Sequence, residues 1–492
     1  MSIHYQSMSR RALLRGAIAA GATSLMGQTG AAASQATPVA EPQPLHERPA
    51  PADRRFSSPA VEEAIERVRK QIADAQLALI FANCLPNTLD MTVHPGTFEG
   101  KPDTFVITGD IDAMWLRDSS AQVWSYLPFC KQDPRLSTLI EGVIRRQTRC
   151  ILIDPYANAF QPDPNSKPLS WAVDDKTTMK PGVGERKWEI DSLCYTLRLA
   201  HGYWQATGNT APFDSAWQQA ARAIVRTFRE QQRRNDPGPY HFQRDSPIPS
   251  DSLMLSGYGN PARPVGLIYS GFRPSDDACI YPLFIPANLF AVASLRQLAT
   301  LADKVCHDTA LAREAETLAQ EVDAAVAQYG LIERAEHGRI WAYEVDGFGN
   351  SICMDDANAP GLLSLDYLGC VAPRDRDLYQ RSRAFALSGS NPYFFRGSAA
   401  EGIGGPHIGL GYIWPMSIII RAFSSMSDAE TTQCLKWLRD STGGTHFMHE
   451  SFWKDDPTKY TRAWFAWANT LFGEMILRIA QQKPAVLQQS FS

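Results

Sequence analysis

Apolar residues recur at three- and four-residue spacing through most of the chain, with polar residues between them. That is the period of amphipathic helices. The first run, SPAVEEAIERVRKQIADAQLALIFANC, starts with Ser58 as a cap and Pro59 in the first turn, and predicts a helix over 58–84. Similar runs predict helices over 134–153, 185–207, 214–233, 282–302, 308–327, 374–386, 411–424, 427–439 and 462–480. Shorter candidates fall at 118–127 and 359–368, which makes about twelve helices in all. Short alternating stretches at 104–108 and 338–345 predict small strands.

The connections are unusual. TGDIDAMWLRDSS, KPGVGERKWEIDSL, SGFRPSDDA, SICMDDANAPG, FRGSAAEGIGGPHIGLGYIW and GGTHFMHESFWKDDPTKYTRAWFAWAN alternate with the helices. They concentrate Gly, Asp, Arg and aromatics, a composition that ordinary surface loops seldom carry. The alternation suggests an all-α fold, an (α/α)6 barrel: a toroid of six helical hairpins with a few short strands and its loops gathered at one end. No G-x-G-x-x-G follows a strand and no P-loop is present, so a nucleotide-binding sheet is not expected.

The 492 residues are 44% hydrophobic and 20% charged, a globular composition. The net charge of −4 gives no sign of nucleic acid or of an anionic membrane as partner. Arg10 and Arg11 precede a short apolar segment and Ala31-Ala32-Ala33. This pattern reads as a twin-arginine signal over 1–33 and implies periplasmic or secreted localisation. A Pro/Ala-rich linker is expected over 34–58, followed by one catalytic domain over 59–492. No stretch has the ~18 unbroken apolar residues of a membrane span. Nine cysteines are scattered without a C-x-x-C pair or a zinc pattern and read as small buried hydrophobes, although one periplasmic disulfide stays open.

The acids cluster in the connections: Asp110, Asp112 and Asp118, then Glu189 and Asp191, Asp276 and Asp277, Asp355 and Asp356, Glu401 and Glu450. If these loops converge, they form an acidic, aromatic pocket suited to neutral polyols. Trp115, Asp112, Asp191, Arg273 and His407 are candidates to line it. Arg117 and Asp118 resemble a sugar-hydroxyl clamp, the arginine donating and the aspartate accepting. Glycoside hydrolysis needs one carboxyl to protonate the departing oxygen and a second to activate water or attack the sugar. Asp277, behind another acid and ahead of an apolar run, has the surroundings that keep a carboxyl protonated. Helix capping is the other role open to the Asp276-Asp277 pair. Glu450, between His449 and an aromatic stretch, is the candidate base. His446 and His449 lack a further histidine motif, so no metal and no cofactor are expected.

These stretches, together with the YSGFRPSDDA and FMHESFWKDD cores, resemble glycoside hydrolase family 125, the metal-independent exo-α-1,6-mannosidases, over nearly the whole folded body. The resemblance implies an (α/α)6 barrel that releases terminal mannose from α-1,6 linkages with inversion. It implies an aspartate acid in SDDA, placed on Asp277 with Asp276 as the alternative, and a glutamate base at Glu450. Arg117, Asp118 and His449 would bind the terminal mannose, within a mannose-containing oligosaccharide or N-glycan. Two other classes stay open on the sequence: another inverting (α/α)6 glycosidase of α-glucan or trehalose type, and a non-catalytic glycan-binding protein. The oligomeric state is not legible.

Overall fold

The computed structural model describes residues 47–491; the twin-arginine segment and the start of the linker lie outside them. Helices dominate: α1 (Pro59–Arg69), α2 (Ala75–Cys84), α3 (Leu116–Trp124), α4 (Pro134–Ile153), α5 (Ile190–Thr207), α6 (Ser215–Gln231), α7 (Ile285–Lys304), α8 (Thr309–Tyr329), α9 (Arg376–Ala386), α10 (Pro415–Phe423), α11 (Asp428–Asp440) and α12 (Ala466–Gln482). Their ends follow local chemistry. Asp133 accepts from Arg135 N and Leu136 N ahead of Pro134, and Asp214 caps α6 through Ala216 N and Trp217 N. α5 stops at Gly208, whose φ of 72° suits a residue without Cβ.

Packing joins these helices into a circuit. α3 packs on α5, α5 on α7, and α7 on a single 3-10 turn, Leu363–Leu365. That turn packs on α10, α10 on α12, and α12 back on α3. α2, α4, α6, α8, α9 and α11 lie against one or more members of the circuit or against each other. One continuous apolar core runs through the helices, and a small second cluster gathers Trp115, Ala159, Leu169 and Ala172.

Short antiparallel pieces precede the circuit members. Met114–Trp115, Ala159–Phe160 and Val183–Glu185 form one sheet. Leu283–Phe284, Glu344–Val345 and Ser351–Ile352 form another, and Tyr412–Ile413, Ser451–Trp453 and Asp456–Thr461 a third. The acid-bearing loops therefore each run into the N-terminus of a circuit member, where the helix dipole favours negative charge.

Four expectations change. The helix predicted over 58–84 is two helices, because Asp74 accepts from Leu77 N at 2.8 Å and starts a second one. The helix predicted over 359–368 is reduced to the 3-10 turn: Pro360 and Gly361 interrupt it, and the Asp355 carboxylate takes Leu362 N and Leu363 N. A hairpin, Val93–Phe98 with Lys101–Val106, extends the single strand expected at 104–108. Residues 47–58 were expected as flexible linker. They lie on the body instead, with Phe56 buried and Arg48 bound to Glu62 and Asp90. All nine cysteines are free thiols, six of them buried. No helix among the described residues is long and apolar enough to cross a membrane.

Candidate active site

Arg117 is the centre of a buried acidic cluster. It enters from the first turn of α3, where its side chain is 5% exposed. Its Nη1 donates to Glu189 Oε2 at 2.6 Å and to Asp191 Oδ2 at 3.2 Å, both at the start of α5. Its Nη2 donates to Asp276 Oδ1 at 3.4 Å, and its Nε lies 3.6 Å from Asp118 Oδ2. One arginine cannot compensate four carboxylates buried from water, so protons must be retained. Burial pushes Glu189 well above the ordinary range; Arg117 opposes the shift, while Asp276 and Asp191 add to it. The neighbouring Asp276 carboxyl adds to the rise of Glu189. Burial raises Asp191 to about 6 against the pull of Arg117, and it raises Asp118 as well.

Asp276 and Asp277 face different surroundings. Asp276 adopts φ 65°, uncommon for a residue with a Cβ. Its carboxylate takes donors from Arg117 and from Asn158 Nδ2, and its carbonyl accepts from Lys187 Nζ at 2.7 Å. Asp277 is wholly buried. Its Oδ2 accepts from Ser275 Oγ at 3.4 Å, and its Oδ1 lies 3.6 Å from His407 Nδ1. Arg273, which the sequence placed in the pocket, is buried with its Nε on Glu344 Oε1 at 2.6 Å.

Glu450 stands just before the strand Ser451–Trp453. It is 3% exposed. Its Oε2 accepts from Thr461 Oγ1 at 2.9 Å, and Arg462 Nη1 stands 3.4 Å from its Oε1. Arg462 also donates from Nε to Asp110 Oδ1 at 2.9 Å and interacts with Asp118. Arg462, Asp118 and Arg117 thus connect the Glu450 loop to the Asp276-Asp277 loop. Several buried polar atoms in this region have no hydrogen-bond partner within the protein: Arg117 Nε, Glu189 Oε1, Asp191 Oδ1 and Arg273 Nη2. Donors and acceptors of both kinds in a small volume match a polyhydroxylated ligand, whose hydroxyls both donate and accept.

Four further sequence candidates have distinct surroundings. Asp112 is exposed, and Asp110 joins the cluster in its place through Arg462. His449 was expected to bind substrate, but its ring is engaged by the protein. Nδ1 donates to Ala463 O at 3.0 Å, Nε2 stands 2.9 Å from Thr442 O, and the ring stacks on Tyr460 at 3.8 Å. It holds the loop that presents Glu450. Trp115 is buried in the second apolar cluster beside Arg117. Glu401 pairs with Arg396 and Arg421 away from the cluster. Sequence reasoning missed Arg462, Asn158, Lys187 and Glu344. Asn158 and Glu344 stand outside the recognised loop stretches; Lys187 and Arg462 stand inside two of them but were masked by their acidic and aromatic neighbours.

A family model, metal-independent alpha-mannosidase (GH125), matches residues 74–477. The meiotically up-regulated gene 157 protein of Schizosaccharomyces pombe is 41% identical over 464 residues, covering 91% of this chain and 90% of that protein. A solved metal-independent α-mannosidase of Streptococcus pneumoniae, in a non-productive substrate complex with α-1,6-mannobiose, superposes with a TM-score of 0.82 at 38% identity. That match covers 87% of this chain and 100% of the other.

Proposed function

The chain belongs to the GH125 family of metal-independent α-mannosidases, and from that premise we propose that it removes terminal mannose from α-1,6-linked mannosides, free or within N-glycans, with inversion of configuration. The helical circuit is then the inner ring of an (α/α)6 barrel, with the turn Leu363–Leu365 standing in for its fourth inner helix. The observation that carries the reading is the convergence of the Asp276-Asp277 loop and the Glu450 loop on the Arg117 cluster.

In this mechanism, Asp277 protonates the glycosidic oxygen and Glu450 takes a proton from the attacking water. The choice of Asp277 follows from the neighbours. Asp276 accepts from Arg117 and Asn158, so it serves to brace the arginine. A general acid must present a proton instead. Glu450 takes one donor at Oε2 and a cation near Oε1, which orient a carboxylate that receives a proton. An inverting pair leaves room for water, roughly 6.5–9.5 Å between carboxyls. Asp118, Asp191 and Arg117 hold the hydroxyls of the terminal mannose.

The test is a linkage panel of α-1,6-, α-1,3- and α-1,2-mannobiose, with fresh product followed by proton NMR. The α-1,6 isomer should be cleaved fastest and β-mannose should appear first. Initial α-mannose rejects inversion, and preference for another linkage rejects the substrate assignment.

A further inference from the structure

Asp356 is a buried carboxylate that neither the Arg117 cluster nor Glu450 uses. It stands two residues from Asn358, whose main-chain N and Nδ2 donate to its Oδ1 at 2.9 and 3.0 Å. Its Oδ2 has no hydrogen-bond partner in the protein. The glycine-rich loop that carries His407 lies directly against it. Ala357 N donates to Gly404 O at 2.9 Å, and a Cβ on Gly405 would stand 2.8 Å from Asp356 Oδ2. Only a glycine lets the backbone approach that closely. The same loop brings His407 Nδ1 to 3.6 Å from Asp277.

Asp356 and Asp277 lie near enough to repel when both are charged. The other charged or titratable groups around them are Asp355, which burial and the Asp356 charge raise to about 7, and Arg273, Asp276, Glu344, His407, Tyr343 and Tyr393. Glu344 binds Arg273 at 2.6 Å and matches its charge. Burial raises Asp356, and the Asn358 donors and Arg273 oppose that rise; with Asp356 ionised, the Arg273–Glu344–Asp356 group is net negative beside Asp277.

We propose that Asp356 is a positioning residue of the hydrolysis: its carboxylate, held by Asn358 against Gly405, keeps the proton on Asp277 until the departing oxygen takes it. The inference rests on Asp277 being the general acid. A fixed negative neighbour favours the protonated form of a carboxyl. Asp277 thus stays a usable acid at a higher pH than it otherwise would.

The test is the pH profile of kcat/KM for Asp356→Asn, with α-1,6-mannobiose and with an aryl mannoside that has an acidic leaving group. The basic limb on mannobiose should move toward acid by about one unit, a tenfold loss at any pH on that limb. KM should hold, and the rate on the aryl substrate at its optimum should change little. A purely structural role would lower both rates together and leave the limb in place, which overturns the proposal. If Asp356→Asn does not fold, Asp356→Ser also removes the charge and should shift the limb in the same direction; an unmoved limb there also overturns it. Asp277→Asn separates the two readings. If that variant lacks leaving-group dependence, the acid assignment has failed. If it shows the dependence while Asp356→Asn leaves the limb unmoved, only the role of Asp356 has failed.

Discussion

Asp276 and Asp277 are neighbours in the chain with opposite surroundings. The left-handed backbone at Asp276 turns its side chain toward Arg117 and Asn158, and the next residue turns toward Ser275 and His407. Their substitutions should therefore differ in kind. Asp277→Asn should slow α-1,6-mannobiose by roughly a thousandfold, within the range a general acid contributes. It should slow an aryl mannoside with a good leaving group far less. Asp276→Asn should lower both rates alike, because it loosens Arg117 for every substrate. Glu450→Gln should also damage both, since each needs activated water. Steady-state kinetics on the two substrates checks all three, and leaving-group dependence in Asp276→Asn would exchange the neighbours' roles. The two carboxylates were legible as a pair because adjacent acids before an apolar run need a reason. Which one points where was not legible, since that depends on a single positive φ. His449 shows the converse. The family resemblance implies that it binds substrate; main-chain carbonyls fourteen and seven residues away stand against both ring nitrogens, and such contacts leave no trace in local sequence.

Among the elements, α4 was readable from end to end because its cap, its first-turn proline and its apolar stripe agree. The hairpin before it was half-hidden. Pro95, Gly96 and Pro102 weaken its strand signal, and its turn rests on positive φ at Glu99 and Gly100. What fixes the hairpin is its packing on α4. Thr104 donates from Oγ1 to Leu139 O at 2.9 Å, and Gly142 of α4 lies directly beneath. A Cβ on Gly142 would stand 2.4 Å from Thr104 Oγ1 and 2.9 Å from Thr104 N. Glycine inside a helix normally costs up to about 1 kcal/mol relative to alanine. Here the sign should reverse. Gly142→Ala should destabilise by about 1–3 kcal/mol, as overpacking does, because the main chain of the hairpin must retreat. Urea unfolding of the variant measures it; a gain in stability would show that the hairpin rides freely on α4.

At the scale of the molecule, the two ends of the described residues close the circuit together. α2 packs against α12, Ala73 N donates to Leu487 O at 2.9 Å, and Arg439 bridges Asp74 and the carbonyl of Phe491. The strap at 47–58 is fastened to α1 and to Asp90. Arg48 donates from Nη2 to Glu62 Oε1 at 2.6 Å on α1 and from Nε to Asp90 Oδ2 at 2.8 Å. Arg54 adds a weaker approach to Asp90 at 3.7 Å. The Asp90 side chain is 1% exposed, and burial raises its pKa although Arg48 and Arg54 pull the other way. Removing one partner of a buried pair leaves an uncompensated charge, and the usual cost is about 3 kcal/mol. Arg48→Ala should therefore lower the free energy of unfolding by about that amount. The sign with pH follows from Asp90. Without Arg48 its folded-state pKa rises further above the unfolded value, so its proton is held in the native state and lost on unfolding. Native stability then falls, relative to wild type, as pH rises through that range. The deficit should be larger at pH 8 than at pH 5, where a protonated Asp90 no longer needs the arginine. Arg48 touches no residue of the Arg117 cluster, so kcat on α-1,6-mannobiose should match wild type at temperatures where the variant is folded. Denaturant titrations at the two pH values decide the matter: a deficit that is equal at both, or larger at pH 5, would mean that Asp90 does not carry the charge that Arg48 balances.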